Sequence, residues 1–248
     1  MQSYQLNYAS GRPQMYDKTS RINKASRIIK TLGDYIGQEK LKALTVLDVG
    51  ASTGIIDFYL SKHFNHITGI DIDHKAIFYA NRQFKRKNLV FKTGDALRLV
   101  FPKNKFDIII CTHVYEHVPN PGKLFEEIYR VLKPGGIVYF AAINSLWPIE
   151  PHYDLPFLSY LPKKLANIYV SLFNRAKRYY ETPLNYWQLE KLTKNFSKID
   201  YTSKILDDPV KFGYKGYPIK PIQPLIRPLS RILKFLTPTF FWMLVKNE

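Results

Sequence analysis

Acidic residues are scarce in this chain: 20 Asp and Glu stand against 37 Lys and Arg in 248 residues, a formal net charge of +17. An excess this large draws anionic partners, whether nucleic acid, phosphorylated sugar or an anionic membrane surface, and charge alone does not choose among them. The basic clusters at Lys85–Lys87, Lys163–Lys164 and Arg175–Arg178 read first as solvated helix faces. Cys111 is the single cysteine, which excludes an intrachain disulfide. Its place in the apolar run FDIIIC predicts a buried thiol in a reducing compartment. The first twenty residues carry no apolar stretch of secretory type, so a cytoplasmic protein is expected. Prolines and three basic residues interrupt the apolar region 222–245, which argues against a membrane span there. Internal repeats and low-complexity tracts are lacking.

What is present alternates. Apolar strands are expected near 45–50, 66–71, 89–93, 106–111 and 136–143, with helices near 54–63, 74–86 and 122–132 between them. An amphipathic helix and a loop over 18–43 precede them. Strands as apolar as DIII and IVYFAAI are expected to be covered on both faces, in a parallel sheet with its ligand beyond the carboxyl ends. Two further strands, near 196–206 and 239–246, would close the sheet as an antiparallel pair.

The stretch VLDVGASTG, Val46 to Gly54, runs an apolar strand through Asp48 into a glycine-containing turn. About twenty residues on, ITGIDID ends the next strand in Asp71, Ile72 and Asp73, a spacing suited to a nucleoside lying across strand ends. Glycines at 50 and 54 let backbone approach a ligand, and Asp71 can accept hydrogen bonds from ribose hydroxyls. A dinucleotide turn wants G-x-G-x-x-G, and here Ser52 and Ile55 occupy its second and third glycine positions. Asp48 would repel a pyrophosphate but tolerate an ammonium and a sulfonium. S-adenosylmethionine is therefore favoured over NAD. Asp95, in LVFKTGDAL, adds a third strand-end acid, placed to accept an adenine amine. Taken singly, each of these features has a plainer explanation. Asp57 and Asp73 near helix starts suit the helix dipole or a cap, and Asp57 is left out of the site.

With VLDVGASTG, ITGIDID, TGDAL, FDIIICTHVYEHVPNP and EIYRVLKPGGIVYFAAI in order over residues 44–143, the chain resembles a class I S-adenosylmethionine-dependent methyltransferase. The resemblance implies an α/β fold with a doubly wound, mostly parallel, seven-stranded Rossmann-like sheet. It also implies a cofactor loop of Gly50, Ala51, Ser52 and Gly54, with Asp71 on the ribose, Asp95 and Ala96 at the adenine, and Thr112 with His113 facing the methionine part. Ser52 departs from the glycine usual there. One domain over 1–248 is expected, with an N-terminal helical segment over 1–43 and an aromatic-rich cap or lid over 146–192 that sets substrate specificity.

Methyl transfer needs an aligned nucleophile and, for a hydroxyl, a base. His113 is the first candidate, with His117 and with His152 from the lid as the alternatives. The segment also resembles the EHV motif of ubiquinone-pathway O-methyltransferases, where acidic residues and a histidine hold a divalent ion. Here His113 stands where such enzymes carry an acid, and no metal is assigned. Tyr179, Tyr180 and Tyr186 could stack on an acceptor or simply pack. The lid string PHYDLPFLSYLPKKLANIYV resembles insertions of bacterial methyltransferases of surface glycan and glycolipid pathways. O-methylation of a small-molecule, glycan or lipid-linked acceptor is therefore expected. An RNA or DNA substrate, or a non-catalytic cofactor-binding membrane adaptor, is the alternative. The amphipathic stretch 222–236, with Leu225, Leu229, Ile232, Leu233 and Leu236 on one face, could make peripheral membrane contact or pack as an ordinary helix.

Overall fold

The computed structural model describes residues 5–214, 232 and 234–247. Nine strands and seven α-helices are found among them. Helix α1 (Lys18–Ile36) precedes β1 (Thr45–Val49), α2 (Ile55–Leu60), β2 (His66–Asp71), α3 (His74–Gln83), β3 (Leu89–Thr93) and β4 (Phe106–Thr112). The chain continues through α4 (Pro121–Val131), β5 (Leu132–Ile143), the short strands β6 (Ile149–Glu150) and β7 (Leu155–Pro156), and α5 (Lys163–Leu172). It ends with α6 (Tyr186–Leu192), β8 (Phe196–Asp200), α7 (Thr202–Asp207) and β9 (Thr239–Lys246).

Seven strands form one sheet in the order β3-β2-β1-β4-β5-β9-β8. β1 pairs in parallel with both β2 and β4, whereas β9 runs antiparallel between β5 and β8. The winding reverses between β1 and β4, and a crevice opens outside the strand ends at such a point. Strand periodicity divides the side chains between two cores. Leu47, Val49, Ile109, Cys111, Val138 and Phe140 point to one face, which α4 and α6 cover with Leu124, Phe125, Ile128 and Leu189. Val46, Ile108, Ile110, Tyr139 and Ala141 point to the other, covered by Ala25, Ile28 and Leu32 of α1 and Ile77 of α3. Burial on both faces is why these strands read as continuous apolar runs.

Local signals fix the boundaries. Asn120 accepts from Lys123 N at 3.0 Å and Pro121 opens α4, one residue before the expected start. Asp73 caps α3 through the amides of Lys75 and Ala76, both at 3.1 Å, so the capping explanation holds for it. The expected strand 196–206 is corrected: only Phe196–Asp200 is strand, and Thr202–Asp207 is helix. The Asp200 carboxylate accepts from Thr202 N at 2.9 Å and turns the chain, a side-chain signal that the apolar pattern KIDYTSKIL conceals. The segment after β5 carries a small core of its own, Tyr153, Leu155, Leu158, Ala166, Val170 and Tyr179. The amphipathic stretch 222–236 lies largely outside the described residues. Among the described residues no helix is long and apolar enough to cross a membrane.

Candidate active site

At the carboxyl ends of β1, β2 and β4 lies a cleft of about 320 Å³. Its floor is the turn after β1. Gly50 and Ala51 both donate backbone N–H groups to Ile70 O, at 2.8 and 2.9 Å, which locks the turn against the end of β2. Gly50 has φ +85°, and a Cβ there would come within 2.6 Å of Val114 Cγ2. Gly54, at φ +74°, serves packing: a Cβ would strike Phe91 and Ala80 at 2.6–2.7 Å, and the residue does not border the cleft. Ser52 adopts the left-handed conformation at φ 54°, and its buried Oγ makes no hydrogen bond among the described residues.

Asp71 joins two loops. Its Oδ2 accepts from Ser52 N and its Oδ1 from Asp73 N, both at 2.8 Å, and burial raises its pKa despite these donors. Each oxygen keeps acceptor capacity toward the cleft, which Asp71 and Ile72 both line. Gly94 and Ala96 border the cleft, and Asp95 between them accepts from Leu97 N at its Oδ1, at 2.8 Å. Asp48 lines the floor, and burial, against the pull of the neighbouring Asp57 and Lys24, raises its pKa to about 7. Asp57 is fully buried in the first turn of α2, and burial and the Asp48 charge hold its carboxyl well above the ordinary range. Its place in the first turn of α2 is the helix start expected for it, with the carboxyl buried.

Thr112, His113, His117 and His152 line the same cleft, so the three candidate bases do meet. His113 has φ 57°, donates its N–H to Ala141 O at 2.9 Å, and holds Nδ1 3.7 Å from Glu116 Oε1. Burial first, then the Lys24 charge, keeps its pKa well below the ordinary imidazole value, so the ring is neutral. His117 places Nδ1 2.8 Å from Gln5 Oε1 and packs its ring 4.4 Å from that of Tyr8; burial lowers its pKa to about 3. His152 differs. Burial pulls its pKa down, but the hydrogen bond from Nδ1 to Glu150 Oε1 at 2.8 Å and the carboxylate's charge outweigh it. The other Glu150 oxygen accepts from the amides of His152 and Tyr153 at 2.7 and 3.0 Å, so the dyad is rigid. Glu116, His117 and His152 each bring a ligand-capable atom within 4.8 Å of the others. The Arg12 guanidinium lies 4.5 Å over the Tyr8 ring and 4.0 Å from Glu181, adding positive charge beside this group.

Several lining residues escaped the sequence reading. Gln5, Tyr8, Arg21 and Lys24 reach the cleft from the N-terminal segment and α1. Glu150 had a weak signal, an acid two residues before His152. Of the candidate stacking tyrosines, Tyr179 and Tyr186 pack instead, the first against Tyr153 and the second against Phe240 and Trp242.

Residues 47–140 match the family described as a methyltransferase domain, in line with the class I S-adenosylmethionine-dependent resemblance of the motifs there. Among curated proteins the chain is 34% identical over 113 residues to a ubiquinone biosynthesis O-methyltransferase of Coxiella burnetii, covering 44% of this chain and 48% of that one. It is 33% identical over 134 residues to the protein of the same name from Pseudomonas putida, covering 52% and 57%. The chain thus spans about half the length of the curated relatives it matches. Solved structures extend the likeness in fold. The plantazolicin methyltransferase BpumL, solved with S-adenosylhomocysteine and a substrate analogue, aligns over 98% of this chain and 94% of its own at 19% identity, TM-score 0.59. A [4+2]-cyclase, SpnF, aligns over 90% and 80% at 20% identity, TM-score 0.52, so the fold by itself does not dictate methyl transfer.

Proposed function

We propose that this chain binds S-adenosylmethionine in the cleft at the ends of β1, β2 and β4 and transfers its methyl group to an oxygen of a small-molecule acceptor. The observation that carries the reading is one cleft in which Asp71, the Gly50–Ser52 turn and Thr112 adjoin three histidines. Asp71 would accept the ribose hydroxyls, Ala96 would border the adenine, and Ala51 and Ser52 would face the amino-acid part, with Asp48 near its ammonium. The relatives named O-methyltransferases support oxygen as the acceptor atom.

The acceptor oxygen attacks the methyl carbon in line with the sulfonium. As the C–O bond forms, the C–S pair returns to sulfur, and the hydroxyl proton must leave. His113 is our candidate base: its neutral imidazole can take that proton and sits at the end of β4 beside Thr112. His152, held by Glu150, would hold the acceptor or relay the proton, and His117 packs against its ring. The ring centroids of His117 and His152 are 4.9 Å apart. A lipid-linked or glycan acceptor and membrane contact through 222–236 rest on sequence pattern alone. Calorimetric titration with S-adenosylmethionine, and with NAD in parallel, tests the cofactor. Saturable binding of the first alone is expected, and transfer of labelled methyl to a phenol or sugar-alcohol panel then separates an enzyme from a binding protein that merely keeps the fold.

A further inference from the structure

A second cavity, of about 260 Å³, adjoins the cleft and shares Lys24, Thr112, His113 and Thr239 with it. It lies between α1, α7 and the face of β5 and β9. Tyr139 and Ala141 of β5, Phe241 of β9, Ile205 of α7 and Tyr214 form its apolar walls. Lys24 and Arg27, three residues apart on one face of α1, supply the charge, and no carboxylate is among the described lining residues. Both cations are underused. Lys24 makes no hydrogen bond or ion pair among the described residues, and the Arg27 Nε is buried without a hydrogen-bond partner. The Arg27 guanidinium carbon lies over the Tyr214 ring, 4.2 Å from its centroid, and its unpartnered Nε can donate to an acceptor.

We infer that this second cavity is the acceptor pocket, and that it takes a compact molecule with a ring or other apolar body and one anionic group, which Arg27 and Lys24 hold. The inference rests on the methyl-transfer reading for the meaning of "acceptor", but the pocket's preference for an apolar-bodied anion stands on its own geometry. Both cations are half-buried; Lys24 feels the Asp48 and Glu116 charges, whereas Arg27 has no carboxylate in the cavity lining, and a ligand anion supplies that missing partner. The apolar walls select against a bare inorganic ion. His113 belongs to both cavities, so an oxygen on the end of the molecule away from its anion meets the methyl donor there. That oxygen's lone pair forms the C–O bond, the C–S pair goes to sulfur, and its proton goes to His113. Specificity is thereby assigned to α1 and α7 rather than to the segment that follows β5.

The test uses two probes of equal shape, 1-naphthoate and its neutral amide, titrated calorimetrically into the full chain and into Arg27→Met, Arg27→Lys and Ile205→Trp variants. Naphthoate is expected to bind the wild type about tenfold or more tighter than the amide. Arg27→Met should abolish that preference, Arg27→Lys should keep most of it, and Ile205→Trp should block both probes. Equal binding of the two probes, no naphthoate binding up to about 1 mM, or an unchanged preference in Arg27→Met would overturn the proposal. S-adenosylmethionine is titrated into the same proteins. Arg27 and Ile205 do not border the first cleft, so its affinity should hold in every variant, which also certifies folding. Loss of cofactor binding in the wild type would sink the methyl-transfer reading while leaving the probe result legible.

Discussion

Ser52→Gly should make the free protein more stable, and the size of the gain follows from two costs visible at that position. Ser52 holds φ 54° without being glycine, a left-handed conformation that costs an L-residue roughly 1–2 kcal/mol. Glycine relieves it, but the looser unfolded chain takes back about 0.5–1 kcal/mol. The second cost is the buried Oγ, which makes no hydrogen bond among the described residues and is worth about 1–3 kcal/mol when left unsatisfied. Together they favour the variant by about 1–4.5 kcal/mol, a rise in Tm of roughly 2–18 °C for a chain of this size. The backbone amide of residue 52, which donates to Asp71, is untouched by the change. Thermal unfolding followed by far-UV circular dichroism, with and without saturating S-adenosylmethionine, reads both states. If Ser52 Oγ finds its partner on the cofactor, the variant gains less from added ligand than the wild type does. A fall in Tm of the free variant would refute the reasoning, since it would mean that the hydroxyl is already satisfied and the conformation unstrained.

Asp71→Asn should weaken S-adenosylmethionine by about 2–3 kcal/mol, some 30- to 150-fold in Kd by calorimetry, because one acceptor oxygen becomes a donor facing backbone N–H groups; unchanged affinity would remove the ribose from this carboxylate. Asp57→Asn should stabilise the protein at pH 8. Asp48 is raised to about 7 and Asp57 also stands above its ordinary value, so their stability contribution is full below about 4 and lost as pH rises through 7. An amide that can donate to Asp48 without titrating removes that loss, about 1–3 kcal/mol, and a gain equal at pH 5 and pH 8 in denaturant melts would contradict it. His117→Gln should flatten acid sensitivity. Its native pKa of about 3 lies below the unfolded value of about 6.5, so its contribution is present above 6.5 and lost as pH falls toward 3. About 2–4 kcal/mol of that slope should vanish in the variant, and identical acid midpoints would argue against it. Chelation should leave methyl transfer intact, because Arg12 already brings positive charge beside Glu181 and the histidine cluster; loss of turnover restored by magnesium or zinc would assign a metal to Glu116, His117 and His152.

The part of this fold that could be read from sequence is the part governed by strand periodicity and local backbone chemistry. The central strands β1, β4 and β5 are apolar because both faces are covered, and the turn after β1 announces itself because Gly50 must pass Val114 at close range. One signal can also serve two purposes. Gly54 resembles a ligand-loop glycine and is in addition packed where a Cβ would meet Phe91 and Ala80, and Asp57 lies at a helix start as its position suggests yet is buried in the core beside a second acid. Contacts between distant segments left almost no trace. Gln5 and Tyr8 reach His117 across more than a hundred residues, and Lys24 and Arg27 look like ordinary members of an amphipathic helix until β5, β9 and α7 close around them. The sequence pattern assigned recognition to the aromatic-rich segment after β5 because aromatics and prolines are conspicuous there. In the folded chain its Tyr153 and Tyr179 pack on each other, while the two cations that line the second cavity stand on α1. Conspicuous residues mark where the chain must pack, whereas unpaired ones mark where a ligand is missing, and the second kind becomes visible only when the elements are assembled.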